Sequence, residues 1–261
     1  MKLLTLNCHS WQEENQMEKI KWIAEAILEN EYDCIALQEV SQSIDAKGVK
    51  GQLKEDNFAF MILQQLKKMG GPTYHCYWDM SHLAYDTYEE GVAILSKHPI
   101  EKARSFYVSR SNSIHQWKSR KIVEAKVRIK NEELLFYSCH LGWWTDVEEP
   151  FQDQVDQLLS RINKDKWVFL MGDFNNDANS RNEGYDYLVK SGLYDTYELA
   201  KEKDCGITVK GKIAGWNDNH HDLRIDFIFT NRKIPVQTSA VVFNGENRPV
   251  VSDHFGVEVE I

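Results

Sequence analysis

The chain is short of the features that mark several protein classes. Its 261 residues include no apolar run of about 18, so no helical membrane span is expected. Its five cysteines, Cys8, Cys34, Cys76, Cys139 and Cys205, form no CxxC pair and are odd in number. That argues against a disulfide framework or a zinc knuckle, and they read as buried thiols of a reducing compartment. The opening MKLLTLNCHSW is too short an apolar stretch for a secretory leader and has no small-residue cleavage site. A cytoplasmic protein is therefore expected. Basic charge is scarce too: 31 Lys and Arg stand against 40 Asp and Glu, a net −9, with no long basic run. Binders of long polyanions carry a basic face, so the balance counts against nucleic acid as the partner, although folding can gather scattered charges. The chain shows no internal repeat and no low-complexity segment.

What is present suits a soluble domain. Hydrophobic residues make up 42% and charged residues 27%, and the length suits one domain over residues 1–261 with a well-buried core. The five prolines, Pro72, Pro99, Pro150, Pro235 and Pro249, fall where elements should end. Apolar spacing predicts helices over Asn15–Asn30, through Met17, Ile20, Ile23, Ala24, Ile27 and Leu28, over Phe58–Met69, and over Pro150–Ile162. Strands are predicted at Lys2–Cys8, Tyr74–Met80, Gly91–Ser96, Glu101–Val108, Lys121–Ile129, Leu134–His140, Trp167–Met171, Arg224–Phe229, Ala240–Phe243 and Val257–Ile261, with a further apolar run at Asp33–Glu39. Lys130-Asn131-Glu132 reads as a hairpin turn, Gln42–Asn57 as a long loop, and Lys201–Asp204 as a solvated charge run. Many strands, few helices, and hairpins beside strand–helix–strand units predict a mixed α/β domain. Two face-to-face sheets with helices outside would fit.

The position of the polar residues is more informative. Apolar stretches end repeatedly in an acid, amide or histidine: Leu4-Thr5-Leu6 at Asn7, Ile35-Ala36-Leu37 at Gln38-Glu39, Leu135–Cys139 at His140, Phe169–Gly172 at Asp173-Phe174-Asn175, and Val250–Ser252 at Asp253-His254. Arg224-Ile225 leads into Asp226. Taken alone, each is an ordinary loop start or a structural histidine. Six such termini converging on one sheet edge would form a site for a hard cation and an anionic substrate. His220-His221-Asp222 offers further donors but no defined partner spacing for a second metal.

The ordered set Asn7, Gln38-Glu39, Glu90–Ser96, Ser138–Leu141, Gly172–Asn175, Arg224–Ile228 and Ser252–His254 resembles the endonuclease/exonuclease/phosphatase superfamily. This superfamily includes deoxyribonucleases, abasic-site endonucleases, inositol polyphosphate 5-phosphatases and bacterial sphingomyelinases. The resemblance runs from residue 7 to 254 and implies a four-layer α/β/β/α sandwich with two central mixed, largely antiparallel sheets. It implies a divalent-metal-dependent phosphoesterase. Glu39 would be the direct ligand of Mg²⁺ or Mn²⁺, with Asn7 and Asp253 nearby, since hard oxygen donors favour these ions. His254 would be the general base, oriented by Asp226. In the alternative, Asp173 activates the water and His254 binds phosphate. His140 and Asn175 would donate to phosphoryl oxygens. Glu90 would lie at the rim, and Arg120 is a candidate phosphate contact.

Substrate class rests on fewer residues. Trp143 and Trp144 follow His140-Leu141-Gly142, and Trp216 sits in a polar loop before Asp226. Such rings suit stacking on a sugar or a base, and also suit packing a loop onto the core. Neighbours on an extended segment face opposite ways, so at most one of Trp143 and Trp144 should face the core. The stretches around Trp78–His82, Tyr88–Gly91 and His140–Trp144 resemble a branch that includes maltose 6′-phosphate phosphatases. That resemblance implies a small sugar phosphate as partner, with neither membrane nor nucleic acid. A nuclease is the rival reading. A binding scaffold with a dead site would be expected to lack one of the six groups, and all six are present.

Overall fold

Alternation along the strands builds two sheets that share one core. A computed structural model describes residues 1–261. The first sheet contains β1 (Lys2–Asn7), β2 (Cys34–Ser43), β5 (His75–Ala84), β6 (Tyr88–Ser96), β12 (Ala200–Lys203), β14 (Val236–Val242) and β15 (Gly256–Glu260). Its order is β12-β14-β15-β1-β2-β6-β5. The second contains β7 (Ile100–Tyr107), β8 (Lys121–Ile129), β9 (Glu132–His140), β10 (Trp167–Asp173), β11 (Tyr194–Asp195) and β13 (Asp226–Thr230), in the order β11-β13-β10-β9-β8-β7. A small hairpin, β3 (Gly48–Lys50) with β4 (Leu53–Lys54), occupies part of the stretch read as a loop. The helices are α1 (Gln16–Asn30), α2 (Phe58–Lys68), α3 (Phe151–Arg161), α4 (Gly184–Lys190) and α5 (Thr196–Leu199).

Three apolar clusters separate four layers. Leu3, Ala36, Ile94, Val123, Phe136, Phe169 and Ile228 fill the space between the sheets. The next residues along those strands, such as Leu4, Ile35 and Leu37, turn outward and meet Ile20, Ile27, Phe58 and Ile62 of α1 and α2. On the other side, Leu135, Tyr137 and Leu170 meet Phe151, Val155 and Leu188 of α3 and α4. Each large side chain so buried contributes about 1.5–3 kcal/mol. The architecture is the α/β/β/α sandwich. No helix is long and apolar enough to cross a membrane.

Several expectations need correction. Met17 is 58% exposed, and the buried stripe of α1 runs through Gln16, Ile20, Ile23, Ala24 and Ile27 instead. Met17 lies one residue, about 100° of helix, from that stripe. Part of the charge run 201–204 is the edge strand β12. The strands expected at Tyr74–Met80 and Gly91–Ser96 extend further, to Ala84 in β5 and back to Tyr88 in β6, so Trp78–His82 and Tyr88–Gly91 lie within strands. The hairpin turn is as expected: Lys130 and Asn131 both have positive φ (49° and 67°), which matches the twist of the flanking strands.

The feature that positions the site is a repeated unit. β1 and β2 pair in parallel with α1 between them in the chain, and β9 and β10 pair in parallel with α3 between them. A parallel pair requires such a crossover. The two pairs lie inside their sheets and open their carboxyl ends on one edge.

Candidate active site

Asn7, His140 and Asp173 occupy those carboxyl ends, whereas Gln38 stands midway along β2, which continues to Ser43 beyond its last pairing with β1; Asn7 is in register with Gln38 and His140 with Asp173. β13 and β15 run antiparallel to β10 and β1, so their beginnings reach the same edge. Asp226 therefore pairs with Asp173, and Asp253-His254 stand just before β15. Val250–Ser252 is not a strand, so this pair precedes a strand rather than ending one.

Local backbone irregularities aim the side chains. The register of β2 on β6 shifts between Leu37 and Val40, and Glu39 has φ 49°. A bulge of this kind re-aims a side chain, and a non-glycine residue held in the left-handed region costs about 1–3 kcal/mol. Gln38 points between the sheets and donates to Ser138 Oγ at 3.0 Å, while Ser138 Oγ donates to the Leu37 carbonyl at 3.0 Å. Gly172 has φ 152°, and a Cβ there would overlap the Cys139 carbonyl oxygen. Glycine thus lets β10 approach β9 beside Asp173.

The polar groups form one cluster around Asp173. Asn7 Nδ2 donates to Glu39 Oε1 at 2.9 Å and to Asp173 Oδ2 at 3.1 Å. The same Asp173 oxygen lies 3.6 Å from His140 Nε2 and 3.8 Å from His254 Nε2. His254 Nδ1 donates to Asp226 Oδ2 at 2.9 Å. The Asn175 backbone N–H donates to Asp173 Oδ1 at 2.8 Å, and its Nδ2 donates to the Leu141 carbonyl at 3.0 Å.

Burial and charge set opposite protonation states on the two histidines. Burial disfavours the charged form of both. At His254, Asp226 and then Asp173 overcome burial and hold the imidazole well above its ordinary value. At His140, burial together with Arg120 and His254 pushes the ring well below it. Burial raises the Asp173 carboxyl to about 7, with His254 opposing and Asp226 adding to the rise.

The donor chemistry at this edge fits a hard divalent cation. Glu39 keeps 22% of its side chain exposed to the cleft, where its Oε1 lies 3.8 Å from His140 Nε2. Glu39, His140 and Asp173 bring ligand atoms within 4.8 Å of one another, as do Asp173, Asp226 and His254, and His9, Glu13 and Asp253. Asp253 thus falls with His9, whose Nδ1 is 3.6 Å from its Oδ1, rather than with Glu39. His220, His221 and Asp222 are exposed and enter none of these clusters.

The cluster forms the floor of a cleft of about 480 Å³. Glu90 and Arg120 line its wall, and Trp143 lines it as well. Arg120 is only 4% exposed, its Nε has no hydrogen-bond partner, and its Cζ lies 5.6 Å from the Trp143 ring centroid. His9, His82, Tyr85 and Trp117 also line the cleft and were not among the predicted site residues. Trp117 is 53% exposed and meets Trp143 edge-on at 6.0 Å.

Residues 14–254 match the Endonuclease/Exonuclease/phosphatase family. The chain belongs to that family. An endonuclease/exonuclease/phosphatase family protein from Leptotrichia buccalis is similar at 39% identity and a TM-score of 0.94, covering 100% of this chain and 99% of its own. A mannosyl-6-phosphatase from Bacteroides thetaiotaomicron shares the fold at 21% identity and TM-score 0.70, with 100% and 98% covered. A TDP2 from D. rerio, complexed with a single-strand DNA product, shares it at 15% identity and TM-score 0.67, with 99% and 97% covered. No curated protein matches. The endonuclease/exonuclease/phosphatase family covers metal-dependent phosphoesterases and nucleases.

Two tryptophans of this family member sit differently from expectation. Trp144 turns away from the cleft and packs on Phe151 and Tyr187, at 6.3 and 6.0 Å between ring centroids. It cannot stack on a substrate, because neighbours on an extended segment diverge and Trp143 takes the cleft side. Trp216 does not line the cleft either. Its ring packs against the small Val209, Leu223 and Ile225 cluster, and its Nε1 donates to Asn175 Oδ1 at 3.0 Å.

Proposed function

We propose that this chain, as a single domain over residues 1–261, is a Mg²⁺- or Mn²⁺-dependent phosphomonoesterase acting in carbohydrate metabolism on a small sugar phosphate such as maltose 6′-phosphate. The observation that carries the reading is Arg120, a buried cation on the cleft wall whose Nε lacks a partner. Burial disfavours this charge, the nearby Glu90, Asp173 and Glu39 only partly offset the cost, and a phosphate dianion would bond to it directly. A monoester has one more charged oxygen to place than a diester. A cleft of about 480 Å³ with the Trp143 face on its wall suits a ring-sized leaving group better than a long polymer.

Glu39 would hold the cation with Asn7 bonded beside it, and Asp253 would stand nearby. When bound, the cation supplies charge for a phosphoryl oxygen and for the leaving oxygen. Asp173 takes the proton of the attacking water, since its carboxyl titrates near neutrality. His254, held charged by Asp226, donates to a phosphoryl oxygen, and neutral His140 donates from Nε2. Asn175 donates one amide hydrogen to the Leu141 carbonyl, and the second, which donates to Asp173 Oδ2 over a long 3.4 Å, would transfer to the phosphoryl group. Arg120 pairs with the remaining oxygen, and Glu90 faces the leaving group from the same wall.

The test is phosphate release with Mg²⁺ from maltose 6′-phosphate, glucose 6-phosphate and inositol phosphates, beside cleavage of linear and plasmid DNA. Glu39→Ala and His254→Ala serve as controls. Fast release from a sugar phosphate, lost in both variants, is the expected result. Cleaved DNA with intact sugar phosphates would overturn it.

A further inference from the structure

We propose that Trp216 is a positioning residue: its indole N–H fixes the orientation of the Asn175 amide, and the adjoining Gly215 ties that orientation to Trp143. The proposal rests on reading the site as a phosphoesterase, though not on any particular substrate.

The side-chain amide of Asn175 has two orientations related by a half-turn, and only one aims its N–H groups at the cluster. An indole N–H is a donor without acceptor capacity. Its 3.0 Å bond to Asn175 Oδ1 is therefore made in one orientation alone. In the other, two N–H groups would meet, and the amide oxygen would face the Leu141 carbonyl and the Asp173 carboxylate. The indole is itself anchored, because its ring packs on Leu223 and Ile225, directly before Asp226.

The second tie comes from the residue before it. Gly215 has φ 80°, and a Cβ there would stand 2.5 Å from Cζ2 of Trp143. The backbone of this segment thus lies against the indole of Trp143. Ala214, Gly215 and Asn217 line the cleft, while Trp216 does not line it and reaches Asn175, itself a lining residue, through its indole N–H. A leaving group lying on Trp143 would press on the same segment that holds the amide.

The test is a double-mutant cycle on p-nitrophenyl phosphate hydrolysis with Mg²⁺, using Trp216→Phe, Asn175→Ala and the double variant. Phenylalanine keeps most of the ring and loses the N–H. Trp216→Phe should lower kcat about 3–10-fold with KM within about twofold, as expected for one hydrogen bond. In the Asn175→Ala background, the same change should alter kcat by less than about twofold. An equal loss in both backgrounds would overturn the proposal, as would unchanged kcat in the native background. A second readout needs no turnover. The indole N–H proton resonance of Trp216 should move in Asn175→Ala, and an unmoved resonance would also overturn the proposal. If the native chain turns over no phosphoester, the phosphoesterase reading fails while the resonance still reports on the bond.

Discussion

The Nδ1 atom of His254 lies 2.9 Å from Oδ2 of Asp226, and the other oxygen of that carboxylate is buried without a partner. The charge of Asp226 is thus directed at one imidazole. Asp226→Asn keeps the shape and removes the charge. It should lower kcat about 10²–10⁴-fold. On the proposed mechanism, which uses a charged His254, it should also move the alkaline limb of the kcat/KM profile to lower pH, because His254 loses its proton sooner without Asp226. A shift confined to the acidic limb would assign the proton-taking role to His254.

Glu90 gives the metal-free protein a pH-dependent stability. Burial, then the charge of Glu39, push its carboxyl from 4.5 up to about 8 against the pull of Arg120. Below the ordinary value, folded and unfolded chains both hold the proton, and the neutral group suits its site. As pH rises toward 8 the unfolded chain releases the proton and the folded chain retains it, so stability falls through this window. Melting in EDTA should show Glu90→Gln gaining about 2–6 °C at pH 8 and nothing at pH 4. A gain that does not vary with pH would refute the linkage.

The two adjacent tryptophans should separate binding from folding. Trp144→Ala removes a ring packed on Phe151 and Tyr187 and should cost about 2–4 kcal/mol in denaturant unfolding, with KM unchanged. Trp143→Ala should raise KM for a sugar phosphate about 5–50-fold with a smaller loss of stability. The reverse pattern would exchange their roles.

Metal dependence can be read without turnover. Mg²⁺ should raise the melting temperature of the native chain, since a ligand that binds only the folded state stabilises it. Glu39→Gln should lose most of that rise and lower kcat/KM about 10³-fold or more. An equal rise in the variant would place the ion elsewhere, with the His9, Glu13 and Asp253 group the next candidate.

Much of the site was legible because a polar residue closing an apolar strand stands out. Asn7, His140 and Asp173 stood out in this way, and the register brings them together. The β2 bulge was not legible, since strict alternation predicts no residue at φ 49°. Adjacency hides that neighbouring side chains diverge at residues 253 and 254: His254 reaches Asp226, while Asp253 stands beside His9 and close enough to Glu39 to feel its charge. His82 and Trp117 escaped notice because one lies within a strand and the other in a connecting segment, and neither ends an apolar run. The helices α4 and α5, at 7 and 4 residues, are too short for periodicity to show. Alternation did predict that Trp143 and Trp144 part company, but assigning their sides required knowing where α3 and α4 lie.

The order of strands in the first sheet has a consequence for how the protein is made. β15 pairs with β14 on one side and β1 on the other, so residues 256–260 complete a sheet begun at residue 2. A ribosome emits about 5–20 residues per second. For many seconds the growing chain therefore carries Asn7 and Glu39 with the β15-facing edge of β1 bare and no Asp253-His254 beside them. A nascent chain stalled before residue 254 is expected to be both inert and sticky, because an unpaired strand edge invites other strands. The segment 253–260 both covers that edge and supplies the histidine, so completion of the site and protection from aggregation come with the same stretch of chain.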